Sequence, residues 1–250
     1  MPSEQEPGPP RNTSGEPHFQ RVHRRSTTAL ICDQLRTAIT TGALEAGAQL
    51  SEAAMAAQFG VSRGPLREAM QRLVQEGLLR SEPHRGLFVK ELDEEEVRDL
   101  YTARIAVESA AARILAREAP ASALAQLRAA CAQMDDAANA SDLERLSDAD
   151  LAFHELLVSS SCSSRLRRMH ETLIAETRMC LTALEGSYRD PRDQVREHSL
   201  IVDAVEDGAE DRIAEAIESH MHQALERLIG TGRVAPNAQG SPGASSRHSP

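Results

Sequence analysis

The most informative segment of this chain is Gly60-Val61-Ser62-Arg63-Gly64-Pro65-Leu66-Arg67-Glu68-Ala69-Met70-Gln71-Arg72-Leu73. Ser62 predicts the start of a helix, because its hydroxyl can accept a hydrogen bond from a free backbone N–H. Pro65 fits the first turn of that helix, where no backbone donor is needed. Apolar side chains then recur at helical spacing and predict a face that packs on a core: Leu66, Met70, Leu73.

Two arginines lie on the side of this helix away from the predicted core. Arg63 and Arg67 are one helical turn apart. A guanidinium can form two hydrogen bonds to a phosphate or to the edge of guanine, and the positive start of a helix favours phosphate as well. The helix therefore predicts DNA binding. The alternative is an ordinary surface helix whose arginines are solvated.

The preceding residues favour the DNA-binding interpretation. The segment 50–59 predicts a short helix that is capped by Ser51 and presents Met55 and Phe59 on one face. Gly60 suits the left-handed conformation that closes a helix, so the next helix can start almost at once. Two helices joined this tightly form a helix-turn-helix.

The residues after this pair predict a small β wing. Gly77 ends the second helix, and residues 78–81 can pair with residues 87–90 as two strands. Arg85 and Gly86 at the tip suit insertion into a minor groove, because glycine allows close approach and arginine meets the negative potential there.

These residues together resemble the winged helix of the GntR family of bacterial transcription regulators. The resemblance covers about residues 26–90 and rests on these segments: Ile39-Thr40-Thr41-Gly42, residues 46–52, residues 59–63, residues 65–69, Leu73, Glu76-Gly77-Leu78, Arg85-Gly86. In that family the third helix enters the major groove and the wing touches the minor groove. Together with the exposed arginines of the predicted helix, the resemblance implies a double-stranded DNA operator as partner. The residues expected to bind it are Ser62, Arg63, Gly64, Arg67, Arg85 and Gly86.

The charge of the chain is divided between its two halves. The formal net charge is −10, but residues 19–90 hold ten Lys and Arg against six Asp and Glu. Residues 91–230 hold fifteen basic against twenty-nine acidic residues. The positive charge is thus concentrated in the predicted DNA-binding part, and the acidic remainder discourages other contacts with phosphate.

Composition and patterning predict a mostly α protein with an N-terminal winged helix-turn-helix and a C-terminal all-α bundle. Residues 1–18 and 231–250 are rich in Pro, Gly, Ser, Ala and Glu, so we expect disordered tails. The winged domain is expected over residues 19–90 and the bundle over residues 91–230. After residue 92 the pattern is helical throughout, with helices expected near 93–117, 121–139, 142–161, 164–186, 191–207 and 209–229.

Two features bear on the compartment. No apolar run is long enough to span a bilayer, and residues 1–25 lack the apolar segment of a signal peptide, so a cytoplasmic protein without a membrane partner is expected. The cysteines are widely spaced, without a Cys-x-x-Cys pair: Cys32, Cys131, Cys162, Cys180. We expect them to be reduced packing residues, with a redox sensor as the alternative.

A candidate metal site lies in the second half. Asp150 and His154 are four residues apart and share one face of a helix, while His198 and His220 lie on two later helices. Imidazoles with one carboxylate suit Zn²⁺, Ni²⁺ or Mn²⁺. The alternative is a set of ordinary surface or core histidines, because an Asp-x-x-x-His pair often arises by chance.

This half resembles the FCD ligand-binding domain of the FadR subfamily of GntR regulators. The resemblance rests on these segments: Leu100-Tyr101, Arg104, residues 108–111, residues 150–154, Glu197-His198, residues 201–205, His220. It implies that Asp150, His154, His198 and His220 hold a divalent metal, with Zn²⁺ expected first. It also implies a small carboxylate effector, held by Arg104. A buried ion pair is the alternative for Arg104, and Arg178 is a second candidate for the effector pocket.

The combined expectation is a homodimeric repressor that binds a palindromic operator and is released by its effector. One alternative is a constitutive dimeric DNA-binding protein whose bundle is purely structural. Another is a metal-dependent hydrolase, which needs a general base beside the metal. The helical motif His-Glu-x-x-His is absent, since His154-Glu155 leads to Val158 and His170-Glu171 leads to Ile174. We therefore expect no enzyme activity.

Overall fold

The computed structural model of the protein describes residues 26–118, 120–182 and 190–230. The expected tails, residues 1–18 and 231–250, lie outside the described residues, as does the end of the helix expected near 164–186. In chain order the elements are α1 (Thr27–Thr40), β1 (Gln49–Leu50), α2 (Glu52–Phe59), α3 (Arg63–Gln75), β2 (Leu79–Glu82), β3 (Gly86–Val89), α4 (Glu94–Glu118), α5 (Ala121–Ala140), α6 (Leu143–Ser160), α7 (Ser164–Thr182), α8 (Pro191–Asp207) and α9 (Glu210–Gly230). The mostly α fold is confirmed.

Local capping explains the helix-turn-helix. The Ser51 hydroxyl accepts a hydrogen bond from the Ala54 N–H at 3.4 Å and starts α2. Gly60 closes α2 in the left-handed region with a φ of 64°, where glycine avoids a steric cost. Ser62 occupies the N-cap position of α3, but its hydroxyl makes no capping hydrogen bond among the described residues. Ser62 therefore starts the helix by its extended backbone alone.

The N-terminal unit, defined here as α1 to α3 with β1 to β3, has its own apolar core. The predicted inner face of α3 is fully buried at Leu66, Met70 and Leu73. Arg36 of α1 donates two hydrogen bonds of 2.9 Å to the Glu76 carboxylate at the end of α3. This paired contact connects α1 to the end of α3.

The wing is a three-stranded antiparallel sheet in the order β1-β3-β2. Leu79 lies opposite Val89 and Ser81 opposite Leu87, as the strand pattern predicts. The sequence analysis missed β1, which pairs Gln49 with Phe88. Two residues are too few to produce an alternating pattern, so only pairing with β3 defines this strand.

Helices α4 to α9 form the bundle around a separate apolar core. The central helix is α4, which contacts α6, α7, α8 and α9. Its first turn carries Glu94, Glu95 and Glu96 at the positive end of the helix dipole. The Asp142 carboxylate caps α6 and the Asp190 carboxylate caps α8. The bundle positions one face each of α6, α8 and α9 toward α4.

Helix α7 joins the two parts of the molecule. Its Ala175 and Met179 pack against the core of the N-terminal unit. Lys90, just after β3, lies 3.4 Å from the Glu176 carboxylate. Beside this contact a cleft of about 1170 Å³ opens between the N-terminal unit and the bundle. One helix therefore belongs to both cores.

The cysteines are free thiols, and Cys32, Cys131 and Cys180 are buried, as expected of packing residues. Cys162 is exposed instead, because it lies in the turn between α6 and α7. Within residues 26–118, 120–182 and 190–230, no helix is both long and apolar enough to cross a membrane.

Candidate metal centre and nucleic-acid interface

The start of α3 forms an exposed surface. Arg63 and Arg67 are both exposed, as the helical spacing predicts. A Cβ at Gly64 would meet no atom within 4 Å, so the backbone between the two arginines faces open space. Another surface can therefore approach the backbone of α3 closely here.

The wing tip presents a second basic group. The Arg85 guanidinium lies 5.3 Å from the centre of the Phe88 ring and pairs with the Glu82 carboxylate. Gly86 begins β3 with a φ of 105°, a conformation that L side chains rarely adopt. These contacts hold the tip in one shape and keep Arg85 exposed.

The bundle brings the four predicted metal ligands together at its centre. Asp150 and His154 come from α6, His198 from α8 and His220 from α9, and all four are buried. The candidate ligand atoms lie within 4.8 Å of one another. The His154 Nε2 lies 3.2 Å from the Nε2 atoms of both His198 and His220. The Asp150 Oδ1 lies 3.1 Å from the His198 Nε2.

The outer nitrogens of the three imidazoles fix their orientation. The His198 Nδ1 donates to the Gln194 carbonyl oxygen at 2.8 Å. The His154 Nδ1 donates to the Glu108 carboxylate at 2.6 Å, and the His220 Nδ1 donates to the Glu197 carboxylate at 2.9 Å. A neutral imidazole carries one N–H, so each inner Nε2 presents a lone pair. Three lone pairs and one carboxylate therefore face the same point.

The titration behaviour agrees with this arrangement. Burial lowers the pKa of His220 to about 3, and the neighbouring His198 adds to the shift. Burial also lowers the pKa of His154, although Glu108 opposes the change. Burial alone would raise the pKa of Asp150, but the neighbouring His198, His154 and His220 together outweigh it, so this pKa lies below its usual range. His154 and His220 are therefore neutral and Asp150 is ionised at pH 7.

The donor set fits a divalent metal. Metal–nitrogen bonds of about 2.0–2.1 Å place neighbouring nitrogens about 2.8–3.4 Å apart, with octahedral geometry at the short end and tetrahedral geometry at the long end. The observed Nε2 separations of 3.2 Å fall in this range. Lone pairs at this distance repel one another unless a cation lies between them. The hydrogen bonds from each Nδ1 to an acceptor are also typical of metal-binding histidines.

Arg104 fits both interpretations given by the sequence. It is buried, and its Nε donates to the Glu108 carboxylate at 2.9 Å, which is the ion pair. Its Nη2 has no hydrogen-bond partner among the described residues. A narrow cavity of about 10 Å³ lies beside it, lined by Tyr101, Arg104, Asp150, Leu181, Gln194, His220, Ala224 and Arg227. The unpaired nitrogen is thus next to the ligand cluster.

Arg178 is placed elsewhere. It pairs with Asp148 and lines the cleft between the bundle and the N-terminal unit. Arg178 is not among the residues that line the small cavity beside Arg104.

The structure adds supporting residues that the sequence analysis did not single out. Glu108 accepts hydrogen bonds from His154, Arg104 and the His170 Nε2, the last at 3.1 Å. Glu197 accepts two from Arg227, at 2.9 and 3.0 Å. Spacing of four residues could have revealed the pairs Arg104/Glu108 and Gln194/His198. The His170 contact spans 62 positions, so no local signal predicts it.

Two family models match this chain. The model of bacterial regulatory proteins of the gntR family matches residues 27–89, and the FCD domain model matches residues 99–223. The chain belongs to the GntR family and carries an FCD domain. This combination is consistent with the FadR subfamily. The helix-turn-helix and the bundle with the histidine cluster coincide with these two matches.

Individual relatives of this GntR regulator agree. The probable D-xylose utilization operon transcriptional repressor of Paenarthrobacter nicotinovorans is 30% identical over 202 residues, which cover 81% of this chain and 88% of that protein. The gluconate operon transcriptional repressor of Bacillus licheniformis is 30% identical over 189 residues, with 74% and 77% covered. A putative transcriptional regulator GntR from Rhodococcus sp. RHA1 has a similar structure, with a TM-score of 0.68, 27% identity, and 81% of this chain and 97% of that chain covered. These proteins are transcription regulators, and the expectation of no enzyme activity is confirmed.

Proposed function

We propose that this GntR regulator is a dimeric repressor that binds a palindromic operator and senses a small carboxylate effector at a divalent metal. The observation that supports this proposal is the convergence of three imidazole lone pairs and the Asp150 carboxylate inside the FCD domain. A bundle with only a structural role has no need to bury four such groups facing one point, because burying unsatisfied polar atoms costs free energy. We propose that residues 19–90 form the DNA-binding domain and that residues 91–230 form the domain for effector binding and dimerisation.

The DNA-binding part of the proposal rests on the exposed basic surface. Arg63 and Arg67 lie at the start of α3, and Arg85 lies at the wing tip, in the arrangement that a winged helix uses for the two grooves. Ser62 and Gly64 add a free hydroxyl and an open backbone. A palindromic operator follows from two-fold symmetry, because two copies of one chain present two copies of α3.

Asp150, His154, His198 and His220 would hold the metal, with Zn²⁺ as the first candidate and Ni²⁺ or Mn²⁺ as alternatives. When bound, the metal supplies a Lewis acid that attracts a carboxylate oxygen. The unpaired Arg104 Nη2 can donate to a second carboxylate oxygen from the side of the cavity. The name of one relative links it to a gluconate operon, and gluconate is a carboxylate of the proposed class. Arg178 would reach only an effector that extends into the neighbouring cleft.

Helix α7 is the proposed connection between effector and DNA. A cavity of about 10 Å³ holds about one water molecule, so a carboxylate must widen it. Leu181 of α7 lines this cavity, while Ala175 and Met179 of the same helix pack on the N-terminal unit. His170 of α7 is also tied to the metal site through Glu108. Widening the cavity therefore shifts the helix against which the N-terminal unit packs. In the dimer, this shift changes the placement of the two N-terminal units relative to each other.

The test is metal analysis of the purified protein, followed by a thermal-shift screen of small carboxylates that includes gluconate, with and without a chelator. We expect about one divalent ion per chain, and a carboxylate that raises Tm only in the metal-loaded protein, because a ligand that binds the folded state stabilises it. His154→Ala should lose the metal, whereas His222→Ala, an exposed histidine of α9, should keep it. Wild-type protein without bound metal, even after incubation with Zn²⁺, Ni²⁺ or Mn²⁺, would contradict the sensing proposal and favour a constitutive DNA-binding protein.

A further inference from the structure

An ion pair connects the two helices of the helix-turn-helix on its exposed side. The Arg67 Nε donates to the Glu52 Oε1 at 3.2 Å, and its Nη2 donates to the Glu52 Oε2 at 2.8 Å. These hydrogen bonds hold the pKa of Glu52 below its usual range, so the carboxylate is ionised at neutral pH. The Arg67 side chain nevertheless stays 67% exposed. The pair thus restrains the guanidinium without removing it from the surface.

The geometry leaves one particular edge of the guanidinium available. A guanidinium has five N–H donors in a planar fork. Glu52 occupies the side edge formed by Nε and Nη2, which leaves the end formed by Nη1 and the second Nη2 hydrogen. That end has the spacing of the guanine O6 and N7 acceptors in the major groove. Glu52 therefore leaves the guanidinium edge that can recognise guanine facing the solvent.

The charge of Glu52 has a second effect. A carboxylate on the surface that faces DNA repels the phosphate backbone and weakens binding to every sequence alike. It also competes with phosphate for Arg67. Guanine, in contrast, can bind the remaining edge while the ion pair stays intact. The charge of Glu52 thus weakens binding to incorrect sequences more than binding to the correct sequence.

Arg63 offers a comparison on the same helix. It is exposed at the first position of α3, and no ion pair to it is present among the described residues. Its guanidinium is not held in one orientation, so it suits a phosphate, which accepts from many directions. The two arginines differ in their partners although they lie one turn apart.

We propose that Glu52 is a specificity-determining residue of this GntR regulator, which positions Arg67 to read a guanine in each half-site and disfavours its use on phosphate. This inference rests on the proposed DNA binding. It assigns to Glu52 a role through Arg67 and no direct contact with a base.

The experiment uses the full chain and duplexes selected from a random pool by the wild-type protein. Dissociation constants are measured for the selected operator and for a scrambled duplex, with wild type, Glu52→Gln and the matched control Glu68→Gln. Glu68 pairs with Arg72 on the same helix, so both variants remove one negative charge near α3. We expect both to bind the scrambled duplex more tightly than wild type does.

Only Glu52→Gln should reduce the ratio of specific to scrambled affinity, by about 10-fold or more, since a bidentate arginine–guanine contact has about this effect. A 7-deazaguanine operator, which lacks N7, should lower the affinity of wild type and leave that of Glu52→Gln nearly unchanged. A ratio unchanged in Glu52→Gln, with a melting temperature like that of wild type, overturns the role of Glu52 while the DNA-binding proposal stands. Failure of the wild-type protein to enrich any sequence overturns both.

Discussion

The candidate functional charges are exposed in the N-terminal unit and buried in the bundle. In the N-terminal unit Arg63, Arg67 and Arg85 are exposed, and the core of the unit is a cluster of apolar side chains. In the bundle the charged groups are inside: Asp150 and Glu108 are buried among histidines at the contact of four helices. We therefore expect substitutions of the candidate functional residues to change stability little in the N-terminal unit and strongly in the bundle.

The physical reason is the cost of removing charge from water. An exposed ion pair contributes little to the free energy of folding, about 0–1 kcal/mol. A buried charge is tolerated only when hydrogen bonds or an opposite charge compensate for lost hydration. The Glu108 carboxylate illustrates this, because Arg104, His154 and His170 all donate to it. The burial of the candidate metal ligands therefore links their polar contacts to the packing of the bundle.

The largest expected effect is that of Phe153→Ala in the bundle. The Phe153 ring is fully buried, and its centre lies 4.7 Å from that of His198 and 5.5 Å from that of His154. We expect unfolding free energy to fall by about 3–5 kcal/mol and metal content to fall with it. Urea unfolding and metal analysis measure the two effects. The control Leu127→Ala removes buried volume from the same core without a ring contact to the histidines, and should destabilise the protein while keeping the metal. Metal retained by folded Phe153→Ala would show that function and stability are separable here as well.

Arg67→Ala should produce the opposite behaviour in the N-terminal unit. We expect its unfolding free energy to stay within about 0.5 kcal/mol of wild type. Its affinity for a selected operator should fall by about 10- to 100-fold per half-site, with relaxed specificity at one base pair. Fluorescence anisotropy at several salt concentrations measures the affinity. Arg165→Ala, an exposed arginine of the bundle, serves as the control and should bind as wild type does. Unchanged operator affinity in Arg67→Ala would contradict the DNA-binding role of α3.

His170→Leu tests the connection between the two regions. His170 donates to Glu108, which in turn accepts from His154, so the leucine disconnects α7 from the candidate metal site. In wild type we expect metal loading to change operator affinity by about 5- to 150-fold, the usual range of allosteric coupling. His170→Leu should bind metal but show a much smaller change.

The control for that variant is His170→Gln, whose amide can still donate to Glu108 and should keep most of the coupling. Operator affinities with and without Zn²⁺ are compared for all three proteins. Full coupling in a folded, metal-loaded His170→Leu would exclude this contact as the connection.

The smallest expected effect concerns pH and the contact of α7 with the wing. Burial raises the pKa of Glu176, Lys90 offsets part of the rise, and Glu96 and Asp99 add to it. A pKa above the unfolded value of about 4.3 means that the folded state binds the proton more tightly. This contribution to stability is complete below that value and is lost as pH rises through the folded pKa.

We therefore expect Glu176→Gln to raise Tm by about 1–3 °C at pH 7 and by less near pH 4. Thermal unfolding across this range measures the change, with Glu171→Gln, an exposed residue of the same helix, as the control. A difference that grows as pH falls would have the wrong sign and would contradict the assigned cause.

Much of the fold follows from local signals. Ser51, Gly60 and Gly77 mark helix ends because capping and left-handed backbone depend on neighbouring residues only, and the structure places them so. The sequence does not predict strand β1, because this strand has two residues and is defined by its pairing with β3. In the candidate site, Asp150 and His154 share a helical face by spacing, but the approach of His198 and His220 depends on how α8 and α9 pack.

Local sequence accounts for the helices, their caps, the division of charge and the residue types that could bind DNA or metal. These properties depend on hydrogen bonds and spacing over a few positions. Three other features depend on the packing of the whole chain: which nitrogen of each histidine faces inward, the partly unsatisfied ion pair of Arg104, and the place of α7 in both cores. This packing also places Glu52 on Arg67, 15 positions away. Such contacts depend on how whole helices are placed relative to one another. Apolar faces alone can pack in many orientations, and the need to satisfy every buried polar atom selects among them.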